Sequence, residues 1–266
     1  MREPTEIVTR HTWDRGQLRQ DEDAIVTEVP VALVYNGVSH VVMMATPSDL
    51  EDLALGFSLS ERVLERPEQL LDVEVLERAQ GMELALTIGA GAFAALSQRR
   101  RNLVGRTGCG ICGVESLEQA IPPPVQVTGE LRLPHPALQA ALQALGQRQS
   151  LKRLTGGVHA AAWCDAQGRV ELVREDVGRH NALDKLLGAL QGSAHSAAGF
   201  ALVTSRASYE MVAKAAACNI QLLAAVSAPT SLAVSQARLS GLTLVGFLQS
   251  GRQAIYANPQ RMLGES

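Results

Sequence analysis

The run FALVTSRASYEMVAKAAACNIQLLAAVSAPTSLAVSQARLSGLTLVGF, residues 200–247, decides the fold. Short apolar blocks alternate in it with longer amphipathic ones. Phe200–Thr204, Leu222–Val226 and Leu242–Phe247 are apolar, rich in branched residues and bounded by polar or glycine residues, so they predict buried strands. Ser208–Cys218 places Met211, Val212 and Ala215 on one helical face, and Thr230–Leu239 is a second helix. Alternation of this kind predicts an α/β layered domain around a mainly parallel sheet. Thr204, Ser205, Ser227 and Thr230 fall at or just past the C-terminal ends of the strands, the edge at which open α/β sheets hold ligands.

Working back from this run, the pattern extends to residue 154. Val158–Cys164 and Arg169–Arg174 predict two strands around Asp165-Ala166-Gln167-Gly168, and His180–Leu190 a helix with Leu183, Leu186 and Leu187 inward. Pro136–Arg148 is a helix with proline in its first turn and Leu138, Leu142 and Leu145 on one face. Ile121-Pro122-Pro123-Pro124 cannot continue a helix or a central strand and behaves as a stiff spacer. The expected organisation is therefore an N-terminal domain over 1–120, a proline-rich linker over 121–135 and the α/β domain over 136–266. In the first domain, Asn36-Gly37 between Val31–Tyr35 and Val38–Met43 is a strong hairpin signal. Val73–Arg78 and Met82–Ile88 form a second hairpin around Ala79-Gln80-Gly81. Residues 49–65 predict a helix with Ser48 and Glu51 as a capping box, and 90–103 another. Residues 1–20 read as an extended or poorly ordered arm. The whole is an α/β protein, α+β if the hairpin and helix domain is counted.

Composition narrows the function classes. Of the 266 residues 46% are hydrophobic and 19% charged, which suits a globular chain with a sizeable core. Aromatics are only 3%, too few for a platform that stacks nucleic-acid bases. The net charge of -3 provides no basic field for DNA or RNA. No apolar run reaches the roughly 20 residues of a membrane span, and the polar N-terminus lacks a signal core. The expectation is a cytoplasmic protein with reduced thiols.

Two of the four cysteines lie in Arg106-Thr107-Gly108-Cys109-Gly110-Ile111-Cys112-Gly113-Val114. Glycines beside each cysteine allow close approach to the thiols. The other two, Cys164 and Cys218, sit in apolar stretches and read as core residues. Three chemistries compete for the C-x-x-C pair. Half of a zinc site lacks its second pair of ligands. A thioredoxin-like dithiol would open a helix, which Gly108 and Gly113 oppose. The third is a nucleophilic or sulfur-carrying thiolate, for which Arg99, Arg100, Arg101 and Arg106 would supply positive charge, unless they are a solvated helix end.

Other constellations are weaker alone. Thr155-Gly156-Gly157-Val158-His159-Ala160 is a glycine turn whose histidine is more simply a satisfied one. Glu175-Asp176-Val177-Gly178-Arg179-His180-Asn181 precedes a helix, and either holds a phosphate at the helix N-terminus or supplies Asp176 as its cap. Gly246-Phe247-Leu248-Gln249-Ser250-Gly251-Arg252 is a nucleotide-contacting loop or the turn of a hairpin. No G-x-G-x-x-G or G-x-x-x-x-G-K-[ST] is present. The zinc-deaminase pattern is broken, because His159-Ala160-Ala161 lacks the glutamate.

Together the C-x-x-C stretch, Thr155–His159, Arg174–Lys185, Thr204–Met211, Ser227–Thr230 and Gly241–Phe247 resemble the formate dehydrogenase accessory sulfurtransferases, the FdhD family, in family order. The block Arg174–Lys185 is the most specific part. The resemblance implies a cytidine-deaminase-like second domain without the zinc site, and a homodimer. It implies a carrier that takes persulfide sulfur from a cysteine desulfurase. The sulfur goes to the molybdenum or tungsten of the bis-molybdopterin guanine dinucleotide cofactor, for formate dehydrogenase. Cys109 maps to the persulfide-bearing cysteine and Cys112 to its partner. Phe247, Leu248, Gln249, Ser250, Gly251 and Arg252 map to the loop that contacts the cofactor, with GDP as an analogue. Gln249 stands where the family often has arginine. No protein-ligated metal is implied. A metal- or redox-dependent nucleotide-binding regulator is the alternative from a different class.

Overall fold

A computed structural model describes residues 2–103, 123–192, 194–195 and 197–263. Cys109, Cys112 and the arginines at 100, 101 and 106 lie outside the described backbone or side chains. The structure is a mixed α/β fold, as the alternation predicts.

The C-terminal half is a six-stranded sheet between helices. Its strands are β8 (His159–Asp165), β9 (Val170–Asp176), β10 (Gly199–Val203), β11 (Leu222–Ala225), β12 (Thr243–Gln249) and β13 (Arg252–Ala257), in the order β13-β12-β11-β10-β8-β9. Only β10, β11 and β12 run parallel. The sheet is thus less parallel than the alternation suggests, because each edge is a hairpin. β8–β9 closes through residues 166–169 and β12–β13 through Ser250-Gly251, and a tight hairpin turn can only return a strand antiparallel. Helices α5 (Arg179–Gly192), α6 (Tyr209–Ala217) and α7 (Ser231–Ser240) cover one face, with Leu183, Leu187, Met211, Val212, Ala233 and Ala237 in its core. Helix α3 (His135–Arg148) covers the other with Leu138, Ala141 and Leu145, and the short α4 (Ser150–Thr155) follows it. Burial on both faces explains why Phe200–Val203 and Leu222–Ala225 are apolar without alternation. Local signals match: Thr230 caps α7 by accepting from the Ala233 N–H, and Gly241 ends it at φ 71°.

The N-terminal half has its own core. Strands β3 (Val29–Tyr35), β4 (Val38–Ala45), β5 (Leu70–Arg78) and β6 (Gly81–Ile88) form a sheet in the order β4-β3-β6-β5. Asn36 and Gly37 turn the first hairpin at φ 46° and 79°. Helix α1 (Leu50–Ser60) buries Leu50, Leu53, Ala54 and Phe57 on the sheet, and α2 (Ala90–Leu103) follows β6. Two expectations change here. The helix over 49–65 stops at Ser60, because the chain reverses through Arg62 at φ 57° and Leu64 then inserts into the sheet core. Asp49, not Ser48, is the cap position, and the Ser48 hydroxyl is buried without a partner among the described residues.

The N-terminal arm is paired rather than loose. β1 (Thr5–Asp14) and β2 (Gln17–Val26) make a long two-stranded hairpin, turned at Arg15 and Gly16, which the sequence reading missed. Trp13 and Leu18 face each other across it and both are exposed. Residues 123–134 lie along the second half. Val127 N donates to Ser240 O, Leu131 N to Gln221 Oε1, and β7 (Leu133–Pro134) pairs with β14 (Met262–Leu263).

The two halves meet through helices α1 and α5, which touch backbone to backbone. A Cβ on Gly56 would lie 1.7 Å from the Asp184 carbonyl oxygen, and one on Gly188 would lie 2.0 Å from that of Asp52. The block Arg174–Lys185 supplies most of the polar contacts across this joint. Arg174 Nε donates to Asp52 Oδ2 at 2.7 Å. Asp176, fully buried, pairs with Lys185 at 2.7 Å, accepts from the Thr46 N–H, and holds Gly178 N and Asn181 Nδ2 on its other oxygen. Asn181 also donates to Met44 O, and Lys185 to Thr46 O. Asp176 is not the cap expected of it: α5 begins at Arg179, which makes Gly178 the cap position, and Asp176 ends β9, committed to neighbouring backbone and to Lys185.

Candidate functional site

The carboxyl ends of β10, β11 and β12 and the loops beyond them are tied together. Ala207 N donates to Ala228 O at 3.3 Å, Thr230 N to Ala207 O at 3.0 Å, and Phe247 N to Ser227 O at 3.1 Å. Thr204 Oγ1 accepts from Ala160 N, which brings the start of β8 and His159 to the same edge. Phe247 sits at φ 49°. An aromatic residue in the left-handed region is an outlier, and such strain is held only where the surroundings impose it. Here a bulge in the β12–β13 pairing imposes it, and a Cβ on Gly246 would lie 2.7 Å from the Pro229 ring. The result is that the Phe247 side chain is exposed near Tyr256, with ring centroids 6.4 Å apart.

Residues 247–252 therefore form the tip of the β12–β13 hairpin. Phe247, Gln249, Ser250, Gly251 and Arg252 are exposed, whereas Leu248 is fully buried and supports the tip from below. Gln139 of α3 holds the turn. Its Oε1 accepts from Gly251 N at 2.9 Å and its Nε2 donates to Gln253 Oε1 at 2.9 Å.

A cavity of about 240 Å³ opens where α1 ends, between α6 and α7. Glu61, Tyr209, Glu210, Lys214 and Gln236 bring polar atoms to it, and Pro123 and Val125 form part of its wall. Lys214 is buried and donates to Ser60 Oγ at 3.0 Å, Asp184 Oδ2 at 2.9 Å and Glu61 Oε1 at 2.6 Å, with the Phe57 ring centroid 5.1 Å away. Burial disfavours its charge, but Asp184 and Glu61 outweigh that and hold its pKa above the ordinary lysine value. Glu210 accepts from Ser208 Oγ at 2.7 Å. Burial opposes the Glu210 charge, and the Ser208 bond with nearby His180 and Arg179 still keeps its pKa below the usual value, so it is ionised at neutral pH. His180 Nε2 lies 3.6 Å from Glu210, and burial, assisted by Arg179, lowers its pKa. Burial likewise lowers that of His159.

The sequence reading passed over Glu61, Lys214 and Gln236. For Lys214 a signal existed: it lies three residues after Met211, on the face already assigned to the core. A lysine in that register must have a charged partner. For Glu61 and Gln236 no local pattern marks them, because the cavity is made by segments distant in sequence.

Cys164 and Cys218 are placed as expected, buried and half-buried. Burial, then nearby carboxylates, pushes both thiols up to about 12. They are poor nucleophiles for that reason. Since the fold retains their protons, their contribution to stability is complete below the ordinary thiol value of 9.0 and is lost as pH rises towards 12. The melting temperature is expected to hold up to about pH 8.5 and to fall steadily above it, and the fall should shrink in Cys164→Ala. Among the described residues no group of three or more His, Cys, Asp or Glu is placed to hold a metal, and no helix is long and apolar enough to cross a membrane.

Fold and site define a mixed α/β protein whose halves are locked by a charged joint, with a strained, exposed hairpin tip at the strand edge. Residues 26–263 match the FdhD/NarQ family, and the chain belongs to that family. It is 54% identical over 255 residues to a protein of Cupriavidus necator named sulfur carrier protein FdhD, covering 96% of this chain and 88% of that one. It is also 54% identical over 256 residues to the protein of that name from Xanthomonas campestris pv. campestris strain B100, covering 96% and 90%. The crystal structure of a putative formate dehydrogenase accessory protein from Desulfotalea psychrophila has the same fold, with a TM-score of 0.75 at 23% identity over 98% of this chain and all of that one.

Proposed function

We propose that this chain is a cytoplasmic, homodimeric sulfur carrier. It takes persulfide sulfur from a cysteine desulfurase onto Cys109. It delivers that sulfur to the metal of the bis-molybdopterin guanine dinucleotide cofactor used by formate dehydrogenase. The observation that carries the reading is the glycine-flanked Cys109-x-x-Cys112 inside the span matched by the family, in a chain whose other two thiols are held protonated. The Cys109 thiolate attacks the terminal sulfur of the donor persulfide, a new S–S bond forms on Cys109, and the donor cysteine leaves as a thiolate. Cys112 stands ready as a second thiol on the same stretch.

The client cofactor is a substrate of this chain, and the exposed hairpin tip fits a contact with it. Arg252 offers a planar fork for a phosphate, and Ser250 and the backbone of Gly251 offer further donors. Phe247 offers an aromatic face. Leu248 supports the tip without reaching a ligand. GDP is expected to bind more tightly than ADP in calorimetry, and Arg252→Ala to weaken GDP by about tenfold, the usual loss for one hydrogen bond to a charged group. Equal binding of the two nucleotides, or none, would remove the tip from the contact set.

A further inference from the structure

A polar relay from helix α3 backs the turn between β12 and β13. Gly251 N donates to Gln139 Oε1 at 2.9 Å. Gln139 Nε2 donates to Gln253 Oε1 at 2.9 Å and lies 3.4 Å from Arg252 O. The Gln253 amide then meets His135 Nδ1 at 2.8 Å. One direction runs through all of it. A backbone N–H can only donate, so it draws the Gln139 oxygen towards Gly251 and leaves the Gln139 nitrogen for Gln253. Gln253 has its own nitrogen left for His135, which presents Nδ1 as the acceptor. His135 and Gln139 stand one turn apart on α3 and so reach the same place.

The sheet itself holds this turn weakly. β13 is an edge strand with β12 as its neighbour on one side, and the pairing jumps from Gly246 with Ala254 to Gln249 with Arg252. Phe247 N is spent on Ser227 O and not on β13. Packing does not press on the turn either, because a cavity of about 480 Å³ lies behind it, lined by His135, Pro136, Gln139, Gly251, Arg252 and Gln253. A turn with few ladder bonds and open space behind it samples many shapes, and it must give them up when it grips a ligand. Bonds that hold one shape beforehand remove that loss. We propose that Gln139 is a positioning residue for ligand binding at the tip: it fixes the backbone of Gly251 and Arg252, and with it the point from which the Arg252 side chain reaches out. Gln139 acts through Arg252 and contributes no ligand contact of its own. The inference rests on the reading above that the tip contacts the client's nucleotide, and it adds the residue that prepares the tip for that contact.

Calorimetry with GDP on the full chain, joined to amide hydrogen exchange across residues 247–253, is the test. Gln139→Leu keeps the bulk of the side chain and removes both polar atoms. Leucine is a good helix former and the site is half-buried, so the variant should melt as wild type does. It is expected to weaken GDP about fivefold, the worth of one group held in place beforehand. Exchange at the Gly251 amide should speed up by at least about fivefold, the usual consequence of losing one hydrogen bond. Gln139→Glu still accepts from Gly251 N, so exchange there should stay within about twofold of wild type. In an Arg252→Ala background, adding Gln139→Leu should weaken GDP by less than about twofold more, because the group it positions is gone. Unchanged GDP affinity in Gln139→Leu overturns the assignment. So does a loss that persists in full beside Arg252→Ala, or Gly251 exchange as slow in Gln139→Leu as in wild type, or as fast in Gln139→Glu as in Gln139→Leu. Failure of wild type to bind GDP at all overturns the tip reading and this inference with it.

Discussion

Cys109→Ala is expected to abolish persulfide accumulation when the protein is incubated with a cysteine desulfurase and cysteine, and to leave the fold and nucleotide affinity intact. Alanine removes only a small side chain from a glycine-rich stretch, so the stability change should stay within about 0.5 kcal/mol. The loss of transfer should be complete, because Cys112 is assigned the second role and the remaining two thiols are poor nucleophiles. Cys164 and Cys218 are held protonated to about pH 12 and lie among apolar neighbours. Mass spectrometry should find the added sulfur on wild type and not on the variant. Formate dehydrogenase made in cells carrying only Cys109→Ala should hold its cofactor and be inactive. Cys164→Ala should do the opposite, costing stability in the core and sparing transfer. An active formate dehydrogenase from the Cys109→Ala strain would move the role to Cys112.

Gly56→Ala is expected to be the most destabilising glycine-to-alanine change among the described residues. The new Cβ would lie 1.7 Å from the Asp184 carbonyl oxygen and 2.7 Å from the Gly188 nitrogen, and all of these atoms are backbone. No rotamer change relieves such a contact, so helices α1 and α5 must separate. Overpacking usually costs 1–3 kcal/mol, and here separation also strains buried charges on both sides. Asp176 with Lys185, and Asp184 with Lys214 and Ser60, depend on the present spacing. A loss of about 3 kcal/mol or more is expected, read as a drop in the urea midpoint. Gly91→Ala is the control: nothing lies near its Cβ direction, and alanine is the better helix former. A Gly56→Ala midpoint equal to that of Gly91→Ala would mean that the two helices are not tightly joined.

Much of the fold was legible because its signals are local. Asn36-Gly37, Gly241 after α7, and the unbroken apolar strands at Phe200 and Leu222 each state a conformation within a few residues. The hairpin at Arg15-Gly16 was not legible in the same way. Its strands are polar and exposed, so no alternation marks them, and their apolar residues, Ile7, Trp13 and Leu18, point to solvent. The site divides likewise. The hairpin tip is a continuous stretch, so its turn was legible, though its buried member, Leu248, was not separated from its exposed ones. The cavity is assembled from Ser60-Glu61, Tyr209-Glu210 and Gln236, and no stretch of sequence contains it. The role of Asp176, Asn181 and Lys185 was hidden for the same reason. Their partners, Met44 and Thr46, lie 130 to 139 residues away.

The joint built from Arg174 to Lys185 also bears on ancestry. It is the most distinctive stretch of the chain, and Arg174, Asp176, Asn181, Asp184 and Lys185 in it hold two halves together. Sorting sequences by this stretch sorts them by architecture. A descendant that had lost both cysteines of the C-x-x-C pair would keep the block unchanged, since every one of those buried charges would still need its opposite number. Such a chain would assemble normally and carry nothing, and only inspection of positions 109 and 112 would tell it from a working copy.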